Sequence, residues 1–110
     1  MKWDLDRIHN AFQNLSNENW DMSSALTWGF TFFANDETKL RNIYSELEEH
    51  QYHLKFIKYR SDLELWQLYT TKIEVLLPDK LHRRNTAFDD LAQYMDSDYD
   101  GWDVSNIEVL

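Results

Sequence analysis

Apolar residues along the chain follow two different periods. In three segments they recur every three or four positions, which is the spacing of amphipathic helices. These predicted helices cover residues 4–16, 37–50 and 78–95. Four other segments alternate apolar and polar positions and are rich in aromatic and β-branched residues, as strands are. The predicted strands cover residues 27–34, 52–59, 64–75 and 99–109.

The order of the last six predicted elements is that of the split βαβ, or ferredoxin-like, plan. We therefore predict an α+β fold in which a four-stranded antiparallel sheet carries two helices on one face. Residues 27–110 form this domain, and residues 1–26 form an N-terminal amphipathic helix and a connector that pack on it. The extra helix and Trp20 are expected to cover part of the open face of the sheet.

Composition narrows the class of protein. A chain of 110 residues with 43% hydrophobic residues is long and apolar enough to bury one core. The absence of cysteine excludes a disulfide scaffold, thiolate zinc sites and thiol nucleophiles. No signal-peptide pattern and no membrane-spanning apolar run are visible, so we expect a cytoplasmic location.

The formal net charge of -9 bears on the kind of partner. Phosphate backbones are held mainly by Lys and Arg, so direct binding of nucleic acid or an anionic membrane is not expected. A basic protein is the natural partner of such a surface. Acidic residues dominate the chain after Arg84, where no further Lys or Arg follows. This acidic region is either a recognition patch or a solvated face.

If the region is a recognition patch, seven residues are the candidates for partner binding. Six are acidic and one is an aromatic residue that lies among them. They are Asp89, Asp90, Asp96, Asp98, Asp100, Trp102 and Asp103.

Three strings in the sequence point to a known family. The first is Tyr-Asp-Gly-Trp at residues 99–102, which follows Phe-Asp-Asp-Leu-Ala at residues 88–92. The others are the aromatic strand at residues 27–34, followed at once by Asn-Asp-Glu, and Trp-Gln-Leu-Tyr-Thr-Thr at residues 66–71. Over residues 27–104 the chain resembles the RraB family of protein regulators of ribonuclease E activity. It differs from the better-known members by its extra N-terminal helix and by lacking their long acidic C-terminal tail.

The resemblance implies a ferredoxin-like domain without cofactor or catalytic activity. It also implies inhibition of a large RNA-degrading enzyme through protein–protein contact. The residues of the Tyr-Asp-Gly-Trp string also have a structural interpretation. Gly101 suits a bulge or a tight entry to a strand, and Tyr99 and Trp102 suit anchoring of the last strand in the core.

Other residue patterns suggest metal sites, but each has a simpler explanation. His50 and His53 are spaced as a possible metal pair, yet they fall where a helix gives way to a strand. The alternating Asp96, Asp98 and Asp100 suggest calcium, but the bidentate Glu that closes an EF-hand loop is missing. We therefore predict neither a metal nor a cofactor.

The basic cluster of Lys80, His82, Arg83 and Arg84 is a candidate phosphate site. Pairing with local carboxylates is the better explanation in so acidic a chain. The chain has two glycines and no Gly-rich phosphate loop, and no hydroxyl has the context of a nucleophile. We therefore expect a protein that is not an enzyme.

Two functions remain as hypotheses. The first is a regulator that inhibits a ribonuclease of the ribonuclease E type through an acidic surface. The second is an immunity protein that binds and neutralises a cognate toxin. This hypothesis includes toxins that are nucleases. In both cases the partner is a basic protein, and the chain is either a monomer or a dimer joined at a sheet edge.

Overall fold

The computed structural model describes residues 4–107. It contains three helices: α1 (Leu5–Asn17), α2 (Glu37–Glu48) and α3 (Pro78–Tyr94). It contains four strands: β1 (Leu26–Ala34), β2 (His53–Arg60), β3 (Leu65–Glu74) and β4 (Asp98–Ser105). The type and order of all seven predicted elements are confirmed. The last strand ends at Ser105, and residues 108–109 of the predicted strand lie outside the described residues.

The four strands form one sheet in the order β2-β3-β1-β4, and every neighbouring pair is antiparallel. This is the predicted ferredoxin-like arrangement. Each outer strand contains a bulge, between Leu54 and Phe56 in β2 and at Asp100 in β4. Gly101 follows the second bulge with a φ of 141°, a conformation that favours glycine, as its predicted place at a bulge requires.

The main core lies between the sheet and the helices. Trp28, Phe30 and Phe32 point to the same side of β1 and are completely buried. The ring of Phe88 in α3 packs on this side, 5.0 Å from the centre of Phe30 and 5.6 Å from that of Phe32. We call the side of the sheet that carries these aromatic residues the covered face, and the opposite side the open face.

Helix α1 also lies on the covered face, beside α3, so its predicted place on the open face is wrong. Phe12 stacks on Trp28 with ring centres 5.8 Å apart, and it also contacts Trp102. Trp20 packs against the same core. The apolar stripe of a helix shows that the helix must be buried, but it does not show against which side of a sheet. Trp28 and Trp102 provide the apolar surface that decides the side.

A largely buried ion pair joins α3 to the end of β3. The two terminal guanidinium nitrogens of Arg84 donate hydrogen bonds to the Glu74 carboxylate, at 2.7 and 3.0 Å. The side chains are only 16% and 13% exposed. Burial by itself raises the pKa of Glu74, but the hydrogen bonds and charge of Arg84 outweigh it and lower that pKa overall. The predicted pairing of the basic cluster with local carboxylates is thus confirmed for Arg84.

Substitution Arg84→Met tests this pair. It leaves the Glu74 carboxylate buried without its partner, so we expect the free energy of unfolding to fall by about 2–4 kcal/mol at neutral pH. In the wild type, the depressed pKa of Glu74 stabilises the fold at neutral pH, and that contribution is lost as the pH falls through it. In the variant the pKa of Glu74 rises, so the stability difference should shrink as the pH approaches about 5.

Urea unfolding at the two pH values measures both effects. The control is Lys39→Met, which removes the exposed ion pair between Lys39 and Asp96. An exposed pair contributes little to stability, so this variant should unfold almost like the wild type. A loss in Arg84→Met that stays constant with pH would contradict the assigned role of the pair.

Candidate functional site

The open face of the sheet carries no helix within residues 4–107, and it is the natural place to look for a site. Its centre is formed by small side chains of β1, because Thr27, Gly29 and Thr31 point to this side. Tyr69 of β3 and Asp103 of β4 flank them, opposite Thr31 and Gly29 in the strand pairing. The surface of the open face is therefore recessed along β1, between the larger side chains of β3 and β4.

A hydrogen bond crosses β1 at this low point. The Tyr69 Oη donates to the Asp103 Oδ1 at 2.7 Å, which joins β3 to β4 over the top of Gly29. A Cβ atom on Gly29 would lie 2.2 Å from the Tyr69 Oη and 2.6 Å from the Asp103 Oδ1. Burial and the Asp103 carboxylate both raise the pKa of Tyr69. Tyr69 is thus a hydrogen-bond donor at neutral pH, and its position depends on a glycine at 29.

One end of the sheet holds a depression of about 570 Å³ with acidic walls. Asp89 of α3 and Asp98 and Asp100 of β4 contribute the carboxylates, while Phe33 and Leu65 contribute apolar surface. The remaining lining residues are Gln93, Ser97 and Tyr99. We call this the acidic depression. Carboxylates beside exposed apolar carbon suit a Lys or Arg side chain, which combines a charged head with an apolar stem.

The opposite end of the sheet holds a smaller groove of about 400 Å³, which we call the basic groove. Its basic lining residues are His53 and Lys55 of β2. The others are Thr27, Tyr69, Thr71, Ile73, Ser105, Asn106 and Ile107.

The structure brings together three of the seven predicted partner-binding residues, namely Asp89, Asp98 and Asp100, in the acidic depression. Asp90 is exposed on α3, but it does not line the depression. Asp96 lies in the turn after α3, where it accepts a hydrogen bond from the Lys39 Nζ at 2.6 Å. That hydrogen bond, together with the charge of Lys39, lowers the pKa of Asp96.

The other two predicted residues point to opposite faces of the sheet. Asp103 is on the open face with Tyr69. Trp102 is on the covered face, where its ring centre lies 5.7 Å from that of Trp28. Trp102 is therefore a partly buried core residue, and it does not line the acidic depression. Its predicted role in anchoring the last strand agrees with these contacts.

The two histidines of the possible metal pair line different depressions. His53 is in the basic groove, whereas His50 lies with Tyr52, Lys72 and Arg84 in a shallow depression on the covered face. Across residues 4–107, no three His, Asp or Glu side chains come close enough together to hold a metal ion.

Sequence reasoning missed the tyrosine bridge and the apolar floor of the acidic depression. A glycine in the middle of an aromatic strand is a signal that another group approaches the backbone closely, and Gly29 fits that rule. The approaching group, Tyr69, comes from a strand about 40 residues away, so no local pattern identifies it. Phe33 and Leu65 meet Asp98 only because β1, β3 and β4 are neighbours in the sheet.

Comparison with known proteins identifies the family of the chain. The sequence pattern of a family described as regulator of ribonuclease activity B matches residues 6–104 of the chain. No curated protein sequence matches the chain. In the part that the structure describes, none of the helices has the length and apolar character needed to cross a membrane.

Substitution Gly29→Ala tests the tyrosine bridge. The added methyl group collides with Tyr69, so we expect the free energy of unfolding to fall by about 1–3 kcal/mol. In a Tyr69→Ala background the collision with the tyrosine is removed, and the Asp103 side chain, released from its hydrogen bond, can turn away, so the same substitution should cost much less. Urea unfolding of the four proteins of this double-mutant cycle measures the coupling. Thr31→Ala, on the same face of β1, is the control, and equal costs of Gly29→Ala in both backgrounds would refute the bridge.

Proposed function

Because the chain belongs to the RraB family, the regulators of ribonuclease activity B, we propose that it binds a ribonuclease of the ribonuclease E type and lowers its activity. The proposed mechanism is protein–protein contact without catalysis by this chain. The family match carries the proposal, since it covers residues 6–104 and therefore all seven structural elements except the first residue of α1 and the last residue of β4.

We place the contact at the acidic depression. Its three carboxylates stand around Phe33 and Leu65, so a basic side chain of the partner finds both opposite charge and apolar contact there. The net charge of -9 favours this choice, because a strongly acidic surface attracts a basic partner and raises the rate of association. Asp98 and Asp100 are exposed on an outer strand, where a partner can reach them.

Three tyrosine hydroxyls are poorly suited to act as general bases at neutral pH. Burial is the main cause that raises the pKa of Tyr52, to about 12, and it also raises the pKa values of Tyr69 and Tyr99. A general base works best with a pKa near the operating pH. These three hydroxyls are instead protonated at neutral pH, and two of them donate hydrogen bonds, Tyr69 to Asp103 and Tyr99 to Asn85.

The proposal is tested with the purified protein and purified ribonuclease E. Binding is measured by calorimetry, and the cleavage rate of a fluorescent RNA substrate is measured in the same buffer. We expect the cleavage rate to fall as the complex forms. Binding and inhibition should depend in the same way on the concentration of the protein. If the protein neither binds the ribonuclease nor changes the cleavage rate, the proposed function is wrong.

The contact surface is tested with two charge-matched variants. The triple substitution Asp89→Asn, Asp98→Asn and Asp100→Asn removes the carboxylates of the acidic depression. The control, Glu46→Gln, Glu48→Gln and Glu49→Gln, removes the same charge from exposed positions at the end of α2. We expect the first variant to bind the ribonuclease at least about tenfold more weakly, with a smaller salt dependence, and the control to change affinity by less than about threefold. Equal effects of the two variants would remove the acidic depression from the proposal.

A further inference from the structure

The charge of this acidic protein is unevenly divided among its strands. Strand β2, residues 53–60, contains two Lys, one Arg and one His and no Asp or Glu. The chain as a whole contains 20 acidic residues and only 11 Lys or Arg. One outer strand of the sheet is therefore basic, while β4, the outer strand at the other edge, is acidic.

The basic groove combines this charge with hydroxyls and exposed apolar carbon. His53 and Lys55 stand at its β2 side. Thr27 and Thr71 line its middle, and Ile73 and Ile107 form an apolar part in which they are 53% and 40% exposed. Lys55 is the one formally charged residue among its lining residues, which include no Asp or Glu. A ligand that fits must therefore bring negative charge and an apolar group close together.

We propose that the basic groove binds an extended acidic segment of a protein partner, with an apolar side chain placed beside its carboxylates. Carboxylates of the segment accept hydrogen bonds from the Lys55 ammonium and the His53 ring, and its backbone accepts hydrogen bonds from the threonine hydroxyls. The apolar side chain lies against Ile73 and Ile107. The proposal does not depend on the acidic depression, which lies at the other end of the sheet.

The neighbouring aromatic residues favour a peptide over single-stranded nucleic acid. Sheet faces that bind RNA stack bases on exposed aromatic rings. Here Phe56 stacks on Tyr69 with ring centres 5.6 Å apart, and the Lys58 ammonium lies 4.4 Å above the ring of Phe56. The Tyr69 hydroxyl donates its hydrogen bond to Asp103. Both rings are therefore already engaged with other side chains.

The net charge does not prevent an acidic segment from binding. At physiological ionic strength charges are screened beyond about 8 Å, so a bound carboxylate interacts mainly with the groups that line the groove. A nucleic acid carries a charge on every nucleotide and extends past the groove into acidic surroundings. A segment with two carboxylates places its charges only where Lys55 and His53 stand.

The test is an NMR titration of the ¹⁵N-labelled full chain with three probes. The first is a short, end-blocked synthetic peptide in which Glu and Leu alternate, the second is the same peptide with Gln in place of Glu, and the third is a short oligouridylate. We expect saturable shifts of the amides of Thr27, His53, Lys55, Thr71 and Ile73 with the Glu peptide, and about tenfold weaker binding of the Gln peptide. Saturable shifts elsewhere, no saturation, or tighter binding of the oligouridylate would overturn the proposal.

Two matched pairs of variants identify the contacts. Lys55→Glu in the groove should weaken binding of the Glu peptide at least about tenfold, whereas Lys80→Glu, the same change at an exposed position of α3, should change it by less than about threefold. Ile73→Asp should likewise weaken binding more than Val75→Asp does. These two apolar residues are 53% and 45% exposed, so both variants should fold, which thermal unfolding checks. Equal losses within either pair would assign the binding to another surface.

Discussion

The ring of Phe88 occupies the space between α3 and the sheet, where it contacts four other aromatic rings. They belong to Phe30, Phe32, Tyr52 and Tyr99, with ring centres 5.0–5.6 Å from its own. These contacts join α3 to β1, to the start of β4 and to the residue before β2. Aromatic pairs of this kind bury a large area and also fix relative orientation. Because the covered face of β1 is filled in this way, a partner reaches the sheet itself only from the open face, the edges or the ends.

The periods of the sequence were sufficient to predict the elements and the sheet plan, because each strand and helix has one well-defined apolar face. They were not sufficient for β4. Strict alternation puts Tyr99 and Trp102 on opposite faces, yet both are on the covered face, because the bulge at Asp100 shifts the alternation by one residue. The same strand shows why the candidate site was only partly predictable. Nearness in sequence grouped Trp102 with Asp98 and Asp100, whereas in the structure Trp102 packs against the core and does not line the acidic depression.

The charged residues are distributed unevenly over the sheet, which the net charge of the chain does not show. Strand β2 at one edge of the sheet is basic, and β4 at the other edge is acidic. Charged side chains and bulges on outer strands also prevent a sheet from pairing with other chains. Both features occur in both outer strands here, with bulges at residues 54–56 and at Asp100. The same charges that protect the edges therefore also supply the chemistry of the acidic depression and the basic groove.

The tyrosine bridge connects these two surfaces mechanically. Tyr69 lines the basic groove, and its bond to Asp103 ties β3 to β4 across β1. Strand β4 in turn carries Asp98 and Asp100 at the acidic depression. Hydrogen-bonded strands and a bridging side chain move as one unit, so the distance and the angle between the two surfaces are set by the sheet. A single partner that binds both proposed surfaces would therefore have to match both position and charge, and a spacing requirement of this kind adds selectivity that neither surface has alone.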